Sequence, residues 1–232
     1  MKKFLSISMM ALALVFASSC NKDENGEPSA EKCVNTWVTD EISLSEVAGE
    51  ISSEDIEIPA EIWAVIAPQI NNMKVRAAVD LSSDGKGQAG VLVDKAQLNL
   101  MVTAVQTILA QYGDKIDAEK LAEINQIFTL VKPMLDNLKD GDYVGTAFTY
   151  TATATDNENG KITVTYKDTD EEGNEKDETA EVAYSGLSDD AMTLVVANED
   201  GTQTFALKSA SSAKVTVGNF VDVTALKALL GE

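Results

Sequence analysis

Hydrophobic residues along this chain switch between two periods, and each switch predicts a change of element. Met73, Val75, Ala77, Val79 and Leu81 alternate with Lys74, Arg76, Ala78 and Asp80, the pattern of a half-buried strand. A turn follows from Ser82 to Gly87, where Asp84-Gly85 supplies the positive φ of a tight hairpin; a second strand is expected from Gln88 to Val93. The spacing then becomes helical. Leu98, Met101, Val105, Ile108 and Tyr112 form one stripe, capped by Asp94 and ended by Gly113. Leu121, Ile124, Phe128, Val131, Leu135 and Leu138 form another, capped by Asp117 and closed by Gly141, with Pro133 expected to kink it or begin a separate last turn. The short link from Gly113 to Ile116 makes them an antiparallel pair, inserted at residues 94–140. Leu121, Phe128 and Leu135 are expected to be buried against the first helix or a sheet; a face for a partner helix is the alternative.

From Tyr143 onward alternation returns. Phe148, Tyr150, Ala152 and Ala154 share one face, and further short strands carry Ile162, Val164 and Tyr166, then Ala180 to Tyr184, Met192 to Val196, and Thr202 to Leu207. Val215 and Val217 end the series, and Asp222 or Thr224 begins a short final helix. Upstream, Val34 to Val38 reads as a first strand carrying Trp37, and Pro59 begins a short helix limited by Pro68. Residues 34–232 therefore form a single domain. Its class is mainly β with a helical insertion (α+β), an antiparallel up-and-down barrel or sandwich plus an inserted αα-hairpin.

The first residues read differently. Lys2-Lys3, an apolar run from Phe4 to Phe16 and small residues Ala17-Ser18-Ser19 make residues 1–19 a signal peptide, too short in its apolar run to span a bilayer. Cys20 follows directly, and the whole resembles the lipobox of bacterial lipoproteins, in which that cysteine is lipidated. Cleavage without lipidation, leaving Cys20 to pair with Cys33, and an uncleaved anchor are the alternatives. Lys22-Asp23-Glu24 resembles a surface-export tag of lipoproteins in one group of Gram-negative bacteria; a plain solvated charged tether is the alternative. Residues 20–33 form the lipidated end and tether. The expected location is the outer membrane, lipid-anchored and facing the cell exterior.

Charge and composition narrow the function. A formal net charge of −20 opposes nucleic acid and anionic headgroups, so the membrane is met through the N-terminal lipid only. With no histidine, Ser-His-Asp and Cys-His systems and the usual His-bound metals are excluded. Asp168-Thr-Asp170-Glu-Glu172-Gly173 begins like a calcium loop, but Thr179 stands where the bidentate glutamate belongs, so a solvated hairpin loop is the better reading. Gly85, Gly87 and Gly90 fit no phosphate-binding spacing, and Trp37 and Trp63 read as core residues. No catalytic residue, metal ligand or cofactor is assigned, and the chain is read as a non-enzyme.

Asn35-Thr36-Trp37, the hairpin Val79 to Gly87 and the segment Ser185 to Leu194 together resemble the lipocalin-like domains of bacterial surface lipoproteins. The resemblance covers roughly residues 34–220 and skips the helical pair. It implies a barrel that takes up a small apolar or amphipathic molecule, with Phe148, Tyr150, Ala152, Ala154 and Val164 at the ligand. Two aromatics followed by two alanines place the roomier end toward Ala152 and Ala154. The alternative is a structural or interaction lipoprotein, an accessory subunit of a surface complex or glycan-uptake system, its barrel filled by side chains.

Overall fold

Eight antiparallel strands pair in chain order and close on themselves. The computed structural model describes residues 31–44, 63–64, 67–68, 73–116, 118–169, 175–198 and 201–223. The expected signal peptide, Cys20, Lys22, Asp23 and Glu24 lie outside the described residues. The barrel strands are β1 (Thr36–Thr39), β4 (Ala77–Leu81), β5 (Lys86–Leu92), β6 (Tyr143–Ala154), β7 (Gly160–Thr169), β8 (Glu175–Ser185), β9 (Ala191–Asn198) and β10 (Gly201–Ser209). Each pairs with the next, β10 returns to β1, and β6 bonds both β5 and β7, which closes the ring. The fold is thus an up-and-down barrel, and within the closed ring each strand is paired on both sides.

The expected strand from Met73 to Leu81 is broken at Arg76. Its first part, β3 (Lys74–Val75), pairs with β2 (Ile42–Ser43) in a separate ribbon. The cause is local: the Thr39 hydroxyl accepts the Ala77 N–H at 2.9 Å, taking a donor that a continuous ladder would use. The alternating face survives the break but serves two cores. Val79 and Leu81 enter the barrel, while Val75 and Ala77 pack with Ile42, Leu44, Met73 and Val91. The Ser82–Lys86 turn forms as expected, with Gly85 at φ +78° and Ser82 N–H donating to Lys86 O at 3.0 Å.

Helix α1 (Lys95–Tyr112) is capped by Asp94, whose carboxylate accepts the Gln97 N–H at 3.0 Å. Helix α2 (Ala118–Asn137) stays helical through Pro133; its expected cap, Asp117, lies outside the described residues. The helices are inserted between β5 and β6, and Lys95 ties their base by donating to the carbonyls of Leu135 and Asp136. Ile108 and Ile116 pack with Trp63, forming a small core of their own beside Leu121 and Ile124. Phe128 and Leu135 are only half-buried.

The C-terminal stretch contains two elements that sequence pattern missed. Helix α3 (Ala210–Ala213) is capped by the Ser209 hydroxyl, and β11 (Phe220–Asp222) runs parallel to the start of β6. Asp222 is therefore a strand residue, and the final helix expected after it lies outside the described residues. Val215 and Val217 are not in a strand; they pack with Val38, Ala78, Tyr143 and Phe220 on the outside of the barrel. Asp142 fixes this segment by accepting the N–H groups of Asn219 and Lys139, both at 2.9 Å.

Candidate functional site

The barrel interior is the first candidate, and its strands fill it. Trp37 from β1, Leu81 from β4, Ile162 and Val164 from β7, Val182 from β8, Met192 and Leu194 from β9 and Leu207 from β10 are all buried in one cluster. The Trp37 indole N–H donates to Cys33 O at 2.8 Å. That bond fastens a 3-10 turn (Glu31–Cys33) against one end of the barrel, and the Cys33 side chain joins the core. The last residues of the expected tether are thus part of the fold. Leu187, in the β8–β9 connection, is buried at the same end.

Of the five ligand-lining candidates, Phe148, Tyr150, Ala152 and Val164 are buried within this cluster and Ala154 packs against it. The room expected beside Ala152 and Ala154 is taken by other strands. Ile162 stands opposite Ala152 and Gly160 opposite Ala154, and the Tyr184 ring lies where a Gly160 Cβ would be, 2.5 Å from that position. Likewise the Phe148 ring lies over Gly87, 2.1 Å from where a Cβ would sit. Small residues on one strand accommodate large ones on the next, so the side chains interdigitate at the density of an interior.

A groove lies on the outside, at the Phe148 end. It measures about 820 Å³ and is lined by Asp80 and Gln88 from β4 and β5, Asp84 and Lys86 from their turn, and Thr149, Thr165, Lys167 and Asp177 from β6 to β8. Most of these face away from the barrel axis, with Phe148 and Tyr166 forming the floor. The groove exists because β6 and β7 pair only from Thr149–Thr165 to Ala154–Gly160. Beyond Thr165 the β7–β8 hairpin leaves β6. Its pairing continues to Thr169–Glu175, so the acidic stretch that begins like a calcium loop lies along a hairpin, the reading expected from the sequence. Residues 170–174 lie outside the described residues.

Charges in the groove are largely satisfied from within. Lys86 bonds Asp84 at 2.6 Å; that contact, with the Ser82 hydroxyl, holds the Asp84 carboxyl down to about 2. Lys167 pairs with Asp177 at 2.8 Å, and Asp80 accepts the Thr36 hydroxyl at 2.6 Å. The Tyr143 hydroxyl donates to Gln88 at 2.6 Å, and burial, with the Asp80 carboxylate adding, pushes its pKa up to about 12. A smaller groove of about 170 Å³ holds Arg76, paired with Glu41 at 3.3 Å. Among the described residues no group of acidic or cysteine side chains is arranged to hold a metal ion.

The helical pair is the other outward feature. Leu100 on α1 is 71% exposed and Leu130 on α2 is 38% exposed, the only large hydrophobic residues so exposed among those described. Neither lies in the small core around Trp63. Compared with known proteins, the chain has no significant match to any family model, curated protein or solved structure.

Proposed function

We propose that this is a cell-envelope lipoprotein that acts by holding other molecules against its outer surface. The filled interior carries the reading: a barrel whose centre is occupied by Trp37, Met192, Leu194 and Leu207 leaves little volume for a ligand among its strands. Of the two functions the sequence leaves open, the interaction lipoprotein requires such packing together with an exposed apolar patch elsewhere. The exposed Leu100 and Leu130 on the inserted helices support it. In this reading Cys20 anchors the chain by lipid, residues after it act as a tether, and the barrel is a rigid mount for the helical pair. Lys22-Asp23-Glu24 directs it to the outer face. The resemblance to lipocalin-like lipoprotein domains then concerns architecture and address, without the ligand.

The experiment places a photo-crosslinking residue at Leu100 in cells and, separately, at an exposed β6 position such as Thr151. A discrete adduct from the helix site, lost on Leu130→Glu, supports the reading. Equal labelling from both sites contradicts it.

A further inference from the structure

We propose that the projecting edge of β8 takes an extended, lysine-bearing peptide as an added strand. The proposal goes beyond the helical pair and the lipid anchor, and needs neither. Hydrogen-bonding direction alternates along an antiparallel strand, and the turns fix that alternation here. Thr155 N–H donates to Asn159 O at 2.8 Å, continuing the register that sets Thr149 against Thr165. Odd-numbered residues of β6 and β7 therefore bond each other, even-numbered residues join β7 to β8, and odd-numbered β8 residues face β9. The main-chain groups of Glu175, Asp177, Thr179 and Glu181 all point toward β9.

That side is paired for only a short distance. β9 meets β8 at Ala183, Tyr184 and Ser185 and no further. Continuing the same register would bring Asn198, the last residue of β9, opposite Ala180. From Thr179 back to Glu175, β8 runs past the end of its neighbour. Among the described residues no strand bonds this edge. A row of outward-pointing main-chain donors and acceptors is the template that strand addition uses.

Charge chooses the occupant. Asp177, Thr179 and Glu181 are exposed, and the stretch from Lys167 to Glu181 holds eight acidic residues against two lysines. Pairing of Asp177 with Lys167 and of Glu181 with Lys161 leaves the hairpin acidic. A second copy adding along this edge would set acid against acid, which is unfavourable. An extended peptide with lysine at alternate positions places its cations beside Asp177 and Glu181 while its backbone bonds the edge.

The probe is a fluorescein-labelled nine-residue peptide alternating lysine with threonine or valine, titrated into the purified full chain. Expected are saturable binding that weakens several-fold as salt is raised, and slowed amide exchange at Glu175, Asp177 and Thr179. Thr179→Pro removes one outward N–H but leaves the even-numbered bonds to β7, and should weaken binding roughly tenfold. If that variant fails to fold, the double change Asp177→Lys, Glu181→Lys should reject the lysine peptide and take a glutamate one. The proposal is overturned if a backbone N-methylated peptide of the same sequence binds equally well. Protection confined to other residues, no binding at low salt, or a dimer paired through β8 would overturn it too.

Discussion

The Trp37 indole N–H donates to the carbonyl of Cys33 at 2.8 Å, joining the Glu31–Cys33 turn to the core of the barrel. Both side chains are fully buried, so the bond is made in a site that water does not reach. Trp37→Phe leaves the Cys33 carbonyl without this donor and removes part of the ring. It should cost about 2–4 kcal/mol, read from denaturant unfolding. A loss within about 0.5 kcal/mol would mean the turn does not seal the barrel.

The helical pair is expected to respond unevenly. Ile108 is buried against Trp63 and Ile116, so Ile108→Ala should cost about 2–4 kcal/mol. Phe128 is only half-buried, and Phe128→Ala should cost about 1 kcal/mol, less than a core phenylalanine would. Equal losses at both positions would show that the second stripe is covered as completely as the first.

These contrasts mark what the sequence could and could not convey. Periods of two and of three to four placed β4 through β10 and both helices, because each element carries its own pattern. The parallel strand β11 depends on partners some 77 positions away in sequence, as in the Asn219–Asp142 bond, and three residues carry no period of their own. Helix α3 did leave a trace, a serine cap at Ser209, in a run too short to weigh. The Phe148 to Ala154 face was legible as an inward face. Its roominess was not, because the volume beside Ala152 and Ala154 is set by Ile162 and Tyr184 on other strands. The β8 edge was equally hidden, since an open edge is a property of neighbours that stop early.

Acid should loosen the C-terminal strap. Backbone N–H groups of Asn219 and Lys139 hold the Asp142 carboxyl below its ordinary value. A group depressed on folding contributes stability above its unfolded pKa, about 3.9, and loses it as pH falls through the folded value. Wild type should therefore lose its advantage over Asp142→Ala progressively below about pH 4. A gap between the two unfolding midpoints that stays constant from neutral pH into that range would contradict this role.

The anchor is tested separately from the fold. Cys20→Ser should move the protein from the membrane fraction to the soluble one without altering its thermal midpoint. Alanine at Lys22, Asp23 and Glu24 should keep the membrane attachment and remove protease access on intact cells. Retention of the serine variant in membranes would contradict lipidation, and unchanged access would reduce the tag to a tether.

The filled interior is the claim on which the rest depends, and the most direct measurement of it is the thermal midpoint of the purified chain with and without a hydrophobic fluorophore and a total lipid extract. The account predicts no saturable shift from either. It also predicts that Ala152→Trp lowers the midpoint by overpacking, at about 1–3 kcal/mol, because Ile162 stands opposite Ala152 and both are buried in the core. A saturable rise in midpoint with lipid, abolished by an Ala152→Trp variant of undiminished stability, would contradict the account and place a ligand inside the barrel.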